Sequence, residues 1–214
     1  MNMAELDLHE QEQVDALKAW WKENGNRVVA LVVAALLAFA GWQWWKSYQA
    51  TQAVEAAKLY EEVLKQATSN DAKRISDAAD ALAARYADSA YAPRAQLLAA
   101  QASWQAKESA RSKAQLQWVI EHAQETTLRD TARLKLASQL LDEKQYDAAL
   151  KLLESVHPDS FTGLYADLKG DVLSAMGKVA EARAAYQQAL DKTEAKSMYR
   201  NLIQLKLDGL GAAQ

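Results

Sequence analysis

An uncharged apolar segment near the N-terminus constrains this chain more than any other feature. Residues 28–45 read VVALVVAALLAFAGWQWW and contain no Asp, Glu, Lys or Arg. As a helix, this segment would span roughly 27 Å, close to the ~30 Å hydrocarbon layer of a bilayer. A buried helix of a water-soluble protein rarely lacks a polar face over such a length, and a cleaved signal peptide has a shorter apolar region that ends in small residues. The segment therefore predicts a transmembrane helix over residues 27–47.

Aromatic side chains bracket the apolar segment. Trp21 and Trp42 would lie roughly 31 Å apart along a helix, so that the two ends would reach opposite headgroup layers. Trp and Tyr are enriched in these layers because their rings are amphipathic. We therefore expect six residues at the membrane interface: Trp20, Trp21, Trp42, Trp44, Trp45 and Tyr48.

Basic residues flank the segment almost evenly. Those before it are Lys18, Lys22 and Arg27, and those that follow it are Lys46 and Lys58. Segments rich in Lys and Arg tend to stay on the cytoplasmic side. The slight excess favours a cytoplasmic tail of residues 1–26, but the residues alone leave the opposite orientation open.

The composition of the remaining chain predicts an all-α fold. There are only 7 Gly and 2 Pro, and the tight turns of a sheet protein usually need such residues. The net charge of −3 gives no basic footprint for nucleic acid, and the absence of Cys excludes disulfides and cysteine zinc sites. The histidines, His9, His122 and His157, are too far apart for a ligand spacing. We expect no metal and no cofactor.

Residues 48–214 contain an internal repeat. Residues 133–156 (RLKLASQLLDEKQYDAALKLLESV) align with 166–189 (ADLKGDVLSAMGKVAEARAAYQQA), each as a helix, a short polar turn and a second helix. The pattern resembles the tetratricopeptide repeat, whose period is about 34. Antiparallel helices approach closely where small residues face each other, and larger ones fill the space beside them. The predicted packing positions are Ala137, Ala149, Gly170, Ala182 and Tyr186.

Other segments extend the array on both sides. A degenerate copy begins near Pro93, and Ala114 and Trp118 are its predicted small and large residues on the second helix. An earlier pair covers residues 51–68 and 71–87, and its first helix is expected to continue from the membrane helix without a break. A C-terminal helix is expected to cap the last repeat by burying Met198, Leu202 and Leu205.

A stack of helix pairs forms an extended groove suited to peptides or partner helices. The chain has no Gly-rich phosphate loop and no G-x-S-x-G or H-E-x-x-H motif, so we expect a binding protein rather than an enzyme. On the first helices of the two clearest repeats, the candidate groove residues are Leu134, Ser138, Asp167, Asp171 and Ser174. Plain solvent-exposed surface explains these positions almost as well.

Three segments carry a family resemblance. EQEQVDALKAWWKENG precedes the apolar segment, GWQWWKSYQ closes it, and YADLKGDVLSAMGKVAEARAAY lies in the last repeat. Over residues from about 10 to 208, the chain resembles the YfgM family of ancillary SecYEG translocon subunits.

The resemblance implies a location and a set of partners. It implies a single-pass protein of the bacterial inner membrane, with a cytoplasmic N-terminus and residues 48–214 in the periplasm. It also implies an adaptor or chaperone-type subunit that associates with the Sec translocon and with a membrane-anchored periplasmic chaperone of the PpiD type, assisting exported polypeptides. A structural scaffold for another cell-envelope assembly complex is the alternative.

Overall fold

The protein is an array of α-helices. The computed structural model describes residues 3–69 and 71–211, and no strand occurs among them. This confirms the predicted all-α class. The helices are α1 (Met3–Ala67), α2 (Ala72–Arg85), α3 (Tyr91–Gln105), α4 (Ser109–His122), α5 (Thr126–Asp142), α6 (Tyr146–Leu153), α7 (Thr162–Ala175), α8 (Val179–Lys192) and α9 (Met198–Gly209), and a 3-10 turn (Asp159–Phe161) precedes α7.

The chain divides into two compact units, Met1–Gln52 and Ala53–Gln214. Within the first unit, the apolar stretch of α1 is the one described helix that is long and apolar enough to cross a membrane, and none of that stretch is buried by the protein. The predicted span 27–47 lies within α1. The same helix continues to Ala67, which confirms that no break separates the apolar stretch from residues 51–67.

In its described residues, the second unit consists of four helix pairs and a terminal helix. The pairs are the last part of α1 with α2, α3 with α4, α5 with α6, and α7 with α8. Their apolar faces form three clusters: one joins α1, α2 and α3, the largest runs from α3 to α7, and the last joins α7, α8 and α9. Two side chains link neighbouring clusters, Trp118 between the first two and Leu150 between the last two.

The turns inside three pairs share one conformation. Lys107, Lys144 and Gly177 each have a positive φ, of 65°, 61° and 76°. In each turn the next residue donates its backbone N–H to a carbonyl in the last turn of the first helix; Gln145, for example, donates to the carbonyl of Leu140 at 2.8 Å. This is the Schellman arrangement, which satisfies the end carbonyls of a helix. The three first helices therefore end in the same way.

The second helix of the degenerate copy is in a different register from the prediction. Ala114 is exposed, and Ser112 is the fully buried small residue. Leu116, not Trp118, takes the fully buried large position. Ser112 precedes Ala149 by 37 positions, whereas Ala149 precedes Ala182 by 33. The two spacings differ mainly because α5 has 17 residues and α7 only 14, so the register of the last repeats does not carry back unchanged to α4.

The terminal helix is rotated relative to the prediction. The expected contact residues are largely exposed, with Met198 at 87% and Leu205 at 68% exposure, and α9 instead buries Ile203 and Leu207. Helix α9 carries two apolar stripes, so apolar spacing alone does not decide which of them is buried. Polar bonds to α7, described below, fix the rotation.

Candidate functional site

Helices α7 and α8 approach closely at Gly170. Ala137, Ala149 and Ala182 are fully buried, and the ring of Tyr186 lies directly against Gly170. A Cβ atom built on Gly170 would lie 2.5 Å from two ring carbons of Tyr186, well inside van der Waals contact. The packing of this pair therefore requires glycine at position 170.

Two carboxylates of α7 hold the terminal helix. Lys206 Nζ donates to Asp167 Oδ2 and to Asp171 Oδ2, at 2.8 Å each, and the hydroxyl of Tyr199 donates to Asp167 Oδ2 at 2.5 Å. The hydroxyl of Tyr186 donates to Asp171 Oδ1 at 2.7 Å. This set of residues is called the α7–α9 network below. It fixes the rotation of α9 because Lys206 and Tyr199 must face α7.

The α7–α9 network shifts several pKa values. Burial and the neighbouring carboxylates raise the pKa of Tyr186 and of Tyr199 above the ordinary tyrosine value of 10.0. Burial alone would lower the pKa of Lys206, but its hydrogen bonds to Asp167 and Asp171 outweigh burial and raise it. All three groups hold their protons more tightly in the folded protein.

The five predicted groove residues do not share one surface. Asp167 is only 3% exposed, because α9 covers it, and Asp171 contacts the same helix. Leu134 packs against the central apolar cluster, and Ser174 is half-buried. Ser138 is exposed and lines a pocket. The groove prediction therefore differs from the structure at Asp167 and Asp171, whose charges bind the terminal helix instead of facing an open groove.

The pocket beside Ser138 lies between the first helices of two successive pairs. It has a volume of about 220 Å³, and it is called the α3–α5 pocket below. Its lining residues are Ala100, Gln101, Trp104, Leu116, Lys135, Ser138, Gln139 and Asp142. Ala100 and Leu116 are buried apolar residues, and Trp104 is half-buried. The pocket thus combines apolar side chains with polar and charged ones.

Sequence reasoning identified Ser138 but missed the other lining residues. A usable signal existed for Gln101, because it precedes Ser138 by the same 37 positions that separate Ser112 from Ala149. No signal of this kind marks Trp104 or Gln139. Both line the pocket only because α3 and α5, which belong to different pairs, lie side by side.

Charged side chains elsewhere pair between neighbouring helices. Arg94 of α3 donates to Glu125 at 2.8 Å, and Lys113 of α4 donates to Glu143 at 2.5 Å. The hydrogen bond from Lys113, with a second from Ser109, lowers the pKa of Glu143. The charged residues that line the α3–α5 pocket, Lys135 and Asp142, form no such ion pair among the described residues. Within the described residues, Lys135 bonds only the side-chain oxygen of Gln101, at 3.2 Å.

The predicted membrane-interface residues are all exposed on α1. They are Trp20, Trp21, Trp42, Trp44, Trp45 and Tyr48. Lys46 Nζ lies 4.8 Å from the ring centroid of Trp42, and Trp44 stacks on Tyr48 at 6.0 Å between centroids. The aromatic groups therefore face outward at both ends of the apolar stretch.

Comparison with known proteins identifies the class of this array and then its family. A family model described as a tetratricopeptide repeat-like domain matches residues 18–212. The ancillary SecYEG translocon subunit of Neisseria gonorrhoeae is 32% identical over 204 residues, which cover 95% of this chain and 98% of the relative. The protein of the same name from Escherichia coli is 29% identical over 206 residues, covering 96% and 98%. The chain belongs to the family of ancillary SecYEG translocon subunits, as its sequence motifs predicted. No solved structure matched in the comparison.

Proposed function

We propose that this chain is an accessory subunit of the Sec translocon that acts as a protein-binding adaptor. The observation that carries the proposal is the full-length match to relatives named ancillary SecYEG translocon subunit. The fold supports it, because arrays of helix pairs present extended surfaces for other proteins. Many described polar side chains of the repeats join neighbouring helices, as those of the α7–α9 network do.

The proposed topology has three parts. Residues 1–26 form a cytoplasmic tail, residues 27–47 span the bacterial inner membrane, and residues 48–214 lie in the periplasm. The six exposed aromatic residues of α1 would occupy the two interfaces, and the slight excess of basic residues before the span supports this direction.

The topology can be tested with a single cysteine. The chain has no Cys, so Ser138→Cys introduces one exposed thiol into the repeat domain. A membrane-impermeant maleimide should label this thiol in intact spheroplasts. Labelling that requires lysis would place the domain in the cytoplasm and overturn the proposed orientation.

The proposed partners are the Sec channel, a membrane-anchored periplasmic chaperone of the PpiD type, and polypeptides that are leaving the channel. An anchored repeat domain beside the exit of the channel would hold a chaperone near its clients. The local concentration that anchoring provides makes even weak contacts effective.

Co-purification in mild detergent tests the partnership. The tagged full-length chain should recover Sec channel subunits and a periplasmic chaperone. Two chimeras serve as matched controls: one keeps residues 1–47 with an unrelated helical domain, and the other keeps residues 48–214 with an unrelated membrane helix. Recovery of other envelope assembly proteins without any channel subunit would contradict the proposal and favour a scaffold role.

A further inference from the structure

The terminal helix exposes one of its two apolar stripes. Met198, Leu202 and Leu205 are 87%, 46% and 68% exposed, and their spacing places them on one face of α9. These three residues are called the outer stripe below. No other helix of the described repeat domain exposes three large apolar side chains. Single exposed apolar residues are common on protein surfaces, but a contiguous apolar patch indicates a contact with another molecule.

The basic residues of α9 leave the outer stripe uncovered. Arg200 donates to the backbone carbonyls of Leu190 and Thr193, and Lys206 binds the two carboxylates of α7. Both side chains are therefore directed toward the body of the array. The long stems of Arg and Lys often cover neighbouring apolar surface, but these two are held on the opposite side of the helix.

The two ends of the outer stripe carry opposite charges. Lys196 precedes α9 by two residues, Asp208 lies in its last turn, and both are exposed. The carboxylate of Asp208 accepts a hydrogen bond from Gln204 of the same helix at 2.8 Å. Within the part of the chain that the structure describes, neither Lys196 nor Asp208 forms an ion pair. A complementary partner supplies an anion at the start of the stripe and a cation at its end.

A second copy of α9 meets both requirements. When two identical helices pack antiparallel about a two-fold axis, residues at equal distances from the axis face each other. With the axis at the middle of the outer stripe, Met198 faces Leu205 of the second copy, and Lys196 comes within about one position of Asp208. A parallel pair would instead place like charges together at each end, and it would also align the two helix dipoles.

The size of the outer stripe sets the strength of such a contact. Three side chains of one helix bury much less surface than the roughly 1,200–2,000 Å² of a stable interface. Two copies anchored in the same membrane are held at a high effective concentration, so a weak contact is sufficient there. We therefore expect association in the membrane and dissociation on dilution in detergent.

We propose that α9 is a self-association surface through which two copies of the chain form a dimer in the membrane. The two helices pack antiparallel with their outer stripes in contact, and Lys196 of each copy pairs with Asp208 of the other. The dimer presents two repeat arrays side by side. This partner is a second copy of the chain and not the translocon, so the inference is independent of the proposed function.

Disulfide cross-linking in native membranes tests the contact and its direction. The chain has no Cys, so each variant carries a single thiol. In Leu202→Cys the two thiols lie beside the axis, and oxidation with copper phenanthroline should give a covalent dimer. In Asp208→Cys the thiols lie roughly 20 Å apart in the antiparallel pair, too far for a disulfide, so this variant should remain monomeric. Gln188→Cys, at an exposed position on α8, controls for random collision.

Three results of the cross-linking would overturn the proposal. Dimers of both Leu202→Cys and Asp208→Cys would indicate a parallel pair. Equal yields from Leu202→Cys and Gln188→Cys would indicate collision only. Cross-linking of Leu202→Cys to a different protein, without any dimer of the chain, would assign the outer stripe to another partner.

Charge reversal tests the paired ends. Full-length chains that carry donor or acceptor dyes at Gln188→Cys are reconstituted in liposomes, and energy transfer is measured as their density varies. Lys196→Asp should weaken the dimer about tenfold, because two attractive pairs become repulsive. Adding Asp208→Lys to this variant should restore the native affinity. Both changes suit the helix dipole, so α9 should remain folded. Failure of the double variant to recover would refute the pairing.

A charge within the outer stripe tests the apolar contact. Leu205→Glu should weaken the dimer by about tenfold or more, because the contact would bury an unpaired carboxylate. Val179→Glu changes another exposed apolar residue, on α8, and should leave energy transfer unchanged. Circular dichroism checks that both variants stay folded, as expected for changes at exposed positions. Native energy transfer in Leu205→Glu would show that the outer stripe does not join the two copies.

Discussion

Position 170 has no side chain because the ring of Tyr186 occupies the space where one would lie. Replacing Gly by Ala at an unhindered helix position would stabilise the helix by about 1 kcal/mol. At position 170 the new methyl group would lie 2.5 Å from the ring, and the ring is held in turn by its bond to Asp171. The steric conflict therefore outweighs the gain in helix propensity.

We expect Gly170→Ala to lower the free energy of unfolding by about 1–3 kcal/mol, the usual range for overpacking. Urea denaturation followed by circular dichroism measures the change. Gly209→Ala is the matched control, because a Cβ there meets nothing within 4 Å. A native-like stability of Gly170→Ala would show that Tyr186 can move aside easily.

The shared turn conformation leads to a second expectation. Lys144 has φ of 61°, a left-handed conformation that is unfavourable for a residue with a Cβ. Lys144→Gly should raise the free energy of unfolding by about 0.5–1 kcal/mol, after allowance for the greater freedom of Gly in the unfolded chain. Gly177→Lys, at the equivalent turn, should lower it by a similar amount. Changes of the same sign in the two variants would contradict the equivalence of the turns.

At the scale of one helix, polar contacts decide which of the two apolar stripes of α9 is buried. Apolar spacing alone leaves both stripes possible. Both stripes of α9 would satisfy the rule that an amphipathic helix buries its apolar face. Lys206 and Tyr199 reach carboxylates on α7, so Ile203 and Leu207 turn inward and Met198 turns outward. The sequence signal for this choice lies in Asp167 and Asp171, which the repeat alignment instead assigns to the groove.

The α7–α9 network should make stability sensitive to alkaline pH. The pKa values of Lys206 and Tyr199 are raised in the folded state, so folding keeps protons on both groups. Their contribution is complete below the ordinary value of 10.0 for Tyr, and it is lost as the pH rises through the folded-state values.

Lys206→Met should reduce this alkaline loss. At pH 8 the variant should be less stable by about 1–3 kcal/mol, because the buried Asp167 loses one partner. The difference in urea midpoint between pH 8 and pH 11 should be smaller for the variant than for the native chain. Lys169→Met, a change at a half-buried lysine of α7 outside the α7–α9 network, is the control. An unchanged pH dependence in Lys206→Met would remove Lys206 from the explanation.

Across the whole molecule, the number of helices and their pairing could be predicted from the polar turns and from the scarcity of glycine. The positions Ala137, Ala149 and Ala182 also followed from one alignment of two segments. Other features depend on distances between helices, which the spacing of residues along the chain does not encode. Ser112 was missed because repeat lengths differ, and the α3–α5 pocket was missed because it forms between helices of different pairs.

The division of the chain at Gln52 predicts where it can be shortened. A fragment of residues 53–214 keeps Ala56 and Val63, which are fully buried, and Tyr60, whose ring lies 5.4 Å from that of Tyr91. A fragment of residues 72–214 loses all three. We expect the shorter fragment to be less stable by about 3 kcal/mol or more, since one buried Val alone contributes about 1.5–3 kcal/mol.

Thermal unfolding of both fragments by circular dichroism measures this difference, and hydrogen exchange locates it. Amides of α2 should lose protection first in the shorter fragment, because α2 packs on the missing helix. Equal melting temperatures would show that residues 53–71 are not part of the folded repeat array.

The common turn conformation of the helix pairs has an evolutionary consequence. Each pair contacts mainly the pairs before and after it, and three of them leave their first helix through the same left-handed residue. A tandem duplication of one pair would keep the contacts at both outer ends of the duplicated unit, and the one new junction would join two copies of that pair. An array of this kind therefore lengthens by whole helix pairs, because each added copy brings its own turn and its own pair of contacting helices.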